Sequence, residues 1–245
     1  KENGVSRRAY CIMILDDKSR LIVGGKFFYQ DTGVNFQRVL HDAVATYGIP
    51  GKLYVDNGSP YKNEQLSLIC GQLGIVLIHT PLRDGASKGK VERNFRTLRQ
   101  RFLNTLDASS LKDIRQLNRM LADYIRKHNT TVHSATGMPP YSRYMEDLSH
   151  VRMPKSSDWL EECFLHRVKR KVRNDATVML DKKLYDVPLE FIGSTVEIRY
   201  RPGEPGSAFI LQNDSRFPVI PTDKTANSKA KRNNPYSVRY GGDRP

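Results

Sequence analysis

Apolar residues in the first half of the chain follow two patterns, which predict two kinds of secondary structure. Short, nearly continuous apolar runs are typical of strands, and four occur, at 9–15, 20–28, 53–55 and 75–78. Apolar residues spaced three or four apart are typical of amphipathic helices, and four such stretches occur, at 36–47, 66–73, 91–106 and 111–125. The order strand, strand, helix, strand, helix, strand, helix, helix predicts an α/β sheet layered with helices.

The segment 80–90, TPLRDGASKGK, interrupts this pattern. It contains two glycines, few apolar residues and several charges, a composition that is typical of a mobile loop. We therefore expect the third helix to begin near Val91, directly after this loop.

The chain changes character after residue 145. From Phe164 to about Pro221, short strand-like runs separated by turns predict a small all-β barrel, and these runs are RVKRKV, ATVML, KLYDVP, STVEIRY and SAFILQ. Residues 222–245 are rich in Lys, Arg, Asn and Gly, which is typical of a flexible basic tail. The predicted domains are an α/β core at 1–145, a linker at 146–163, a barrel at 164–221 and a tail at 222–245.

Charge favours a polyanionic partner, most often nucleic acid. The 245 residues include 40 Lys and Arg against 26 Asp and Glu, which gives a formal net charge of +14. An alternative is a basic protein without such a partner, because net charge bears on association rather than on fold. Three cysteines far apart suggest neither a disulfide framework nor a zinc site, which fits a reducing compartment. No apolar run reaches the roughly 18 residues of a membrane span.

One short stretch, KLYVDNGSPY at 52–61, places a carboxylate where a strand ends. Asp56 follows the apolar run 53–55, and Asn57-Gly58 is strong turn chemistry. Open α/β sheets bind ligands at the carboxyl ends of their strands, so Asp56 is a candidate ligand-binding residue. The alternative is an aspartate that only begins a turn.

A second carboxylate, Glu92, lies on the predicted third helix, and 35 residues separate it from Asp56. Two-metal phosphodiester chemistry needs carboxylates from different elements that converge on ions about 3.5–4 Å apart. Mg²⁺ binds through one or two carboxylates together with waters and phosphate oxygens. We therefore predict that Asp56 and Glu92 are catalytic metal ligands for Mg²⁺ or Mn²⁺.

The motif VDNGS, followed by KGKVER, resembles the catalytic core of the DDE transposase and retroviral integrase superfamily. LDDKSRLIVG is similar to the second and third strands of that core. HNTTVHSATGMPPYSRY is similar to the segment that follows the core helices in insertion-sequence transposases, and the β-rich part is similar to the barrel of Mu-type transposases. The resemblance implies a ribonuclease H-like mixed sheet with flanking helices, a two-metal site, DNA element ends and target as partners, and a multimer on DNA. It also implies a cytoplasmic, nucleoid-associated protein.

The sequence departs from that family at the first catalytic aspartate. In the family this residue lies on a strand before the hairpin, and here that strand is expected to precede residue 1. The sequence as given would then hold two of three catalytic carboxylates, and alone it is expected to be inactive or nearly so. Asp16 and Asp17 are alternatives for the third ligand, although they match the turn of the hairpin.

Further residues are assigned roles around these two carboxylates. Asn57, Gly58 and Ser59 would shape the turn, with simple turn propensity as the alternative. A larger set would bind DNA phosphates: Lys88, Lys90, Arg96, Arg99, Arg167, Lys169 and Lys171. The alternative is a solvated basic face for Arg96 and Arg99, and a charged protective edge strand for the last three residues.

The resulting hypothesis is a transposase or integrase that cleaves the 3′ ends of mobile-element DNA and transfers them to a target. Two alternatives remain open at this point. One is a catalytically inactive DNA-binding or regulatory relative of the same fold, and the other is a ribonuclease H-type nuclease, which shares the metal chemistry.

Overall fold

The structure, a computed structural model, describes residues 5–56, 58, 61, 63–80, 85–107 and 111–222; for 85–88, 90, 91 and 205 only the backbone is described. Contacts divide the chain into two compact units, Lys1–Leu165 and His166–Pro245. Within the described residues, no helix has the length and apolar character needed to cross a membrane.

The first unit combines strands and helices in the predicted order. Its described elements are β1 (Tyr10–Leu15), β2 (Ile22–Phe28), α1 (Gly33–Tyr47), β3 (Lys52–Val55), α2 (Glu64–Leu73), β4 (Val76–His79), α3 (Gly85–Arg101), α4 (Ile114–Thr130), α5 (Pro140–Met145) and α6 (Ser157–Cys163). The predicted α/β class is therefore confirmed.

The described strands of this unit form two separate pairs rather than the single mixed sheet that was predicted. β1 and β2 are antiparallel, with Tyr10 opposite Phe28, whereas β3 and β4 are parallel, with Lys52 opposite Val76. Both pairs contribute to one core, in which Ile12 and Leu53 are buried. An apolar pattern specifies which faces are buried but not which strands share hydrogen bonds, and for this reason the pairing could not be read from the sequence.

Two glycines allow helices to approach both faces of β2. A Cβ atom on Gly24 would lie 2.9 Å from Val39 Cγ1 of α1, and one on Gly25 would lie 2.7 Å from Ile125 Cδ1 of α4. Real Cβ atoms do not approach other atoms so closely, so a larger residue at Gly24, which also meets Val39 O at 3.2 Å, would push α1 outwards, and one at Gly25 would displace the end of the Ile125 side chain. The apolar hairpin is thereby enclosed between α1 and α4.

Helix α3 begins earlier than the sequence predicts. The segment 80–90 was expected to be a loop, but the helix starts at Gly85 and therefore includes Lys88 and Lys90. A glycine in a helix costs only about 1 kcal/mol relative to alanine, so Gly85 and Gly89 do not prevent the helix from forming. Glu92 consequently lies in the interior of α3 and not near its start.

The segment 146–163, which the sequence indicates as a linker, contains α6. Leu160 and Cys163 of this helix are buried in the core of the first unit, and His41 Nε2 of α1 lies 3.1 Å from Glu161 Oε1. A helix with buried apolar residues is part of the unit against which it packs. The domain bounds drawn from the sequence stay a prediction.

The second unit is β-rich, as predicted. Its described strands are β5 (His166–Lys171), β6 (Thr177–Leu180), β7 (Lys183–Asp186), β8 (Thr195–Tyr200), β9 (Phe209–Gln212), β10 (Ser215–Pro218) and β11 (Ile220–Pro221). They form a four-stranded sheet in the order β10-β9-β8-β5 and a three-stranded sheet in the order β11-β7-β6. The prediction omitted β10 and β11, which are short and contain prolines.

The expected closed barrel is not observed among residues 166–222. The chain passes from one sheet to the other at the buried Val219, which joins β10 to β11. Between β5 and β6 no ladder is formed, and Arg170 of β5 reaches Met179 O of β6 through its side-chain Nε, at 3.1 Å. The predicted basic tail lies outside the described residues from 223 onwards.

Candidate functional site

Asp56 lies directly after β3, at the carboxyl end of the parallel pair β3–β4. The adjacent Val55 is buried, and its carbonyl accepts hydrogen bonds from Thr80 N at 2.9 Å and Thr80 Oγ1 at 3.3 Å. Thr80 follows β4 and thus fixes the position at which β3 ends. The side chain of Asp56 is exposed beside this anchored backbone. The structure therefore places the carboxylate where the sequence predicts it, and its role as a ligand stays a prediction.

Two consecutive hydrogen bonds shape the turn after Asp56. The Gly58 amide donates to Asp56 Oδ1 at 2.7 Å, and the Tyr61 amide donates to Gly58 O at 3.0 Å. An ionised carboxylate has about four acceptor positions, so one amide leaves capacity for a cation. The Gly58 amide thus orients the carboxylate, and the role of Gly58 in shaping a metal site stays a prediction. Asn57 and Ser59, predicted to act in the same way, lie outside the described residues.

Tyr61 anchors the far end of this turn, and the sequence analysis missed it. Its ring packs edge-on against Phe36 of α1, with centroids 4.9 Å apart. Burial raises the pKa of Tyr61 to about 12, with smaller contributions from the charges of Asp56 and Asp31. The phenol is therefore neutral at physiological pH, and it responds to the charge of Asp56. An aromatic residue closing the KLYVDNGSPY stretch was the signal that could have revealed it.

Helix α3 carries the second predicted carboxylate on an exposed face. Glu92, Arg96 and Arg99 are exposed and lie four and seven residues apart, a spacing that aligns them on one side of a helix. Phe95, Leu98 and Phe102 face the core instead. Two arginines beside a carboxylate suit a phosphate group held next to a metal ligand. Lys88 and Lys90 belong to the same helix, but their side chains lie outside what the structure describes.

The side chains of Asp56 and Glu92 are of a chemical type that binds divalent metal ions. Asp56 and Glu92 supply the hard oxygen ligands that Mg²⁺ prefers. The described residues contain no cluster of three or more His, Cys, Asp or Glu that could hold a metal ion. The convergence of the two carboxylates on one site stays a prediction.

Asp16, an alternative third ligand, has a structural function in the turn between β1 and β2. Its Oδ2 accepts hydrogen bonds from Ser19 N at 2.8 Å and from Ser19 Oγ at 2.6 Å. Asp17 is exposed beside Arg20, with Oδ1 and Nη1 3.4 Å apart. Both aspartates therefore lie in the turn of the hairpin, where the sequence indicates them.

The second unit presents a separate basic surface on β5. This strand lies at the edge of its sheet, as predicted, and pairs with β8. Arg167, Lys169 and Lys171 alternate along it and are opposite Arg199, Glu197 and Thr195, respectively. Lys169 and Lys171 are exposed and Arg167 is half-buried. The single carboxylate among these paired residues, that of Glu197, accepts a hydrogen bond from Arg199 Nε at 3.0 Å, so the face remains basic.

Comparisons with known proteins agree with the resemblance to transposases that the motifs indicate. A family model of the TnsB C-terminal domain matches residues 34–108, a range that contains both Asp56 and Glu92. The chain is 27% identical over 235 residues to the transposase for transposon Tn552 of Staphylococcus aureus, which covers 87% of this chain and 48% of that protein. It is 28% identical over 130 residues to the transposase for insertion sequence IS1202 of Streptococcus pneumoniae, covering 48% of this chain and 28% of that protein.

Among solved structures, the catalytic core domain of BIV integrase matches 57% of this chain and 88% of that domain, at 19% identity and a TM-score of 0.48. The similarity to transposases that the motifs indicate is confirmed by the two relatives and by the family model. The chain spans about half the length of the first relative and about a quarter of the second.

Proposed function

We propose that the chain provides catalytic carboxylates and DNA contacts of a transposase that cleaves 3′ ends of mobile-element DNA and joins them to a target. The observation that carries this proposal is the exposed Asp56, oriented by the Gly58 amide at the end of a parallel strand pair. It lies within the range that matches the TnsB C-terminal domain. Glu92 lies in the same range, on an exposed helical face with Arg96 and Arg99.

In the proposed mechanism Asp56 and Glu92 hold Mg²⁺ or Mn²⁺ from two different elements. A bound divalent ion activates the attacking oxygen and stabilises charge on the phosphate. The Gly58 amide keeps the Asp56 carboxylate in a fixed orientation, so less entropy is lost when the ligand site forms. Arg96 and Arg99 neutralise the DNA backbone next to Glu92 and thereby position the scissile phosphate. Lys88 and Lys90 have the same proposed role.

The basic face of β5 extends the DNA contacts to the second unit. Arg167, Lys169 and Lys171 are suited to backbone phosphates, because alternate residues on a strand point to the same side. Such contacts carry no sequence information but fix the register of the protein on DNA. The proposed partners are therefore element ends and target DNA, and joining two ends requires a multimer assembled on them.

The decisive test measures joining of labelled element ends by the full-length protein in the presence of Mg²⁺ or Mn²⁺. Glu92→Gln should abolish joining and leave DNA binding nearly unchanged, because it removes a metal ligand and keeps the size and polarity of the side chain. Glu64→Gln, an exposed substitution on α2, is the matched control and should retain joining.

Joining that persists in Glu92→Gln would refute the catalytic assignment. Cleavage without joining would instead indicate a nuclease. DNA binding with neither reaction, in the unsubstituted protein, would indicate a non-catalytic relative.

A further inference from the structure

A third face of α3 lines a cleft to which the proposed catalytic residues do not contribute. Successive residues of a helix are rotated by about 100°, so Glu92, Arg96 and Arg99 occupy one face and the core residues a second. Arg93, Thr97 and Arg101 occupy the third. The cleft, about 1010 Å³ in volume, lies in the first unit between this face, the last turns of α4 and residues 131–135.

The cleft is strongly basic. Four cationic side chains line it, those of Arg20, Arg93, Arg101 and Lys127. None of the described residues that line it carries a carboxylate. Basic residues from α3, α4 and the turn between β1 and β2 thus converge on one space, and low-dielectric walls strengthen the field inside it.

The positive charges of the cleft also act on the pKa of His133, which lies in its lining. Burial lowers the pKa of His133, and the charges of His128, Arg20, Arg101 and Arg93 lower it further. Arg20 from the β1–β2 turn and two arginines of α3 therefore lie close enough to this imidazole to disfavour a further positive charge. An anion in the cleft would relieve this mutual repulsion.

Two buried polar atoms of the cleft have no partner among the described residues. Asn94 Oδ1 and Tyr124 Oη are enclosed by protein and make no hydrogen bond there. A buried polar group without a partner costs roughly 1–3 kcal/mol, so most such groups in proteins are satisfied. The Tyr124 hydroxyl and a rotated Asn94 amide can each donate to an anionic oxygen. Because solvent does not reach either atom, an anion would contact them only after neighbouring side chains move.

We propose that this cleft binds backbone phosphates of DNA at a place separate from the Asp56 and Glu92 carboxylates. Arg93 and Arg101 supply the charge, and a movement of the side chains that enclose Tyr124 would let its hydroxyl donate a hydrogen bond to a phosphate oxygen. The volume is at the upper end of the range of about 300–1,000 Å³ that is typical of ligand sites, so it accommodates more than a single phosphate. The proposal rests on the proposed function only in naming DNA as the source of the phosphates.

The test measures the affinity of the full chain for a fluorescein-labelled 20-base-pair DNA duplex, in a chelator and at several salt concentrations. Arg93→Ala/Arg101→Ala should weaken binding about tenfold and reduce the slope of log K against log salt by about 2, since each lost phosphate contact contributes about 0.9. The matched control is Arg115→Ala/Arg119→Ala, which removes two exposed arginines from the first half of α4, outside the cleft.

Equal weakening in both double variants would show that only net charge matters and would overturn the proposal. Unchanged binding in the cleft variant would also overturn it. The binding test contains no metal, so its result is independent of whether Glu92 acts in joining.

Tyr124→Phe separates binding from folding. If the hydroxyl has a ligand and no protein partner, its removal should weaken DNA binding severalfold while leaving the thermal unfolding midpoint unchanged or raising it. A lowered midpoint with unchanged affinity would mean that the hydroxyl is structural, and it would overturn the assignment of Tyr124 as a phosphate ligand.

Discussion

Asp56 Oδ1 accepts a hydrogen bond of 2.7 Å from the Gly58 amide, so one side chain both shapes the turn and presents a carboxylate. Asp56→Asn should separate these functions, because an amide oxygen can still accept from Gly58 but has no charge for a cation. We expect stability to change by about 0.5 kcal/mol or less and joining to be lost. Urea unfolding and the joining assay measure the two effects.

The same substitution should lower the pKa of Tyr61, because the Asp56 charge is one of the causes that raise it. Phenol absorbance is titrated in the unsubstituted protein and in Asp56→Asn. In each case the curve of the same protein carrying Tyr61→Phe is subtracted, and the difference between the two resulting Tyr61 curves measures the shift. An unaltered titration curve would mean that the carboxylate and the phenol do not interact.

Some of this site could be predicted from the sequence. An apolar run followed by Asp-Asn-Gly places a carboxylate at a strand end, because strand and turn chemistry are both local. Tyr61 could not be assigned a role, because its contact with Phe36 joins residues that are distant along the chain. The cleft could not be predicted either, because its arginines come from separate elements and their convergence depends on tertiary packing.

The early start of α3 and the open second unit have similar explanations. Gly85 and Gly89 indicated a loop, yet tertiary packing commonly outweighs a propensity of about 1 kcal/mol. β10 and β11 were missed because Pro218 and Pro221 obscure the strand pattern, although Ser215–Pro218 pairs with β9 and Ile220–Pro221 with β7. Closure between β5 and β6 depends on register, which the apolar pattern does not specify.

Asn129 of α4 should be important for the stability of the hairpin. Its side chain accepts from Ile22 N and donates to Ile22 O, both at 3.0 Å, and it is 6% exposed. Asn129→Ala leaves two buried backbone groups without partners, so we expect a loss of about 3 kcal/mol in the free energy of unfolding. Urea denaturation measures it.

Asn118 makes the equivalent pair of bonds to Phe27, at 2.7 and 3.1 Å, in a less buried position. Asn118→Ala should therefore cost less than Asn129→Ala, because water can replace the lost partner. Equal losses would contradict the role that we assign to burial.

Gly48 ends α1 with a φ of +84°, and its environment is crowded. A Cβ there would overlap Val151 Cγ1 and lie 3.0 Å from Arg152 O. Gly48→Ala combines an unfavourable φ with this overlap, so we expect a loss of about 3 kcal/mol or more. Thermal and urea unfolding measure it.

Gly137→Ala is the matched control, because Gly137 has a φ of +68° and a Cβ added there would meet no atom within 4 Å. It measures the cost of a positive φ without crowding, which is about 1–2 kcal/mol, whereas Gly48 adds both the crowding and a ψ of 179°, a combination that glycine alone normally adopts. If both substitutions cost the same, crowding at Gly48 has no effect on stability.

Stability of the first unit should fall as pH decreases below about 6.5, and His128 is one cause. Burial lowers the pKa of His128 from its usual 6.5, and Arg101 lowers it further, although a hydrogen bond to Arg20 O opposes these effects. Between the lowered pKa and 6.5, the unfolded chain binds more protons than the folded chain, so the free energy of unfolding rises with pH in that window. Above pH 6.5 the contribution of His128 to stability no longer changes with pH.

His128→Gln should flatten this dependence, since it removes the titrating group and retains a donor for Arg20 O. Thermal midpoints at pH 8 and pH 5.5 measure the difference. His150→Gln, which changes an exposed histidine, should leave the slope as it is. An unflattened slope in His128→Gln would assign the acid sensitivity to other groups.

DNA binding through β5 should depend on salt in proportion to the number of phosphates that it contacts. Lys169 and Lys171 are exposed on the same face of this edge strand. Lys169→Ala/Lys171→Ala should reduce the slope of log K against log salt by about 2, because each phosphate contact contributes about 0.9 to it. Lys182→Ala/Lys183→Ala removes two exposed charges from the β6–β7 hairpin, which belongs to the other sheet of the same unit, and should reduce the slope less. Equal reductions would mean that the unit contributes only diffuse charge, whereas a difference confined to Lys169 and Lys171 would identify β5 as a DNA contact.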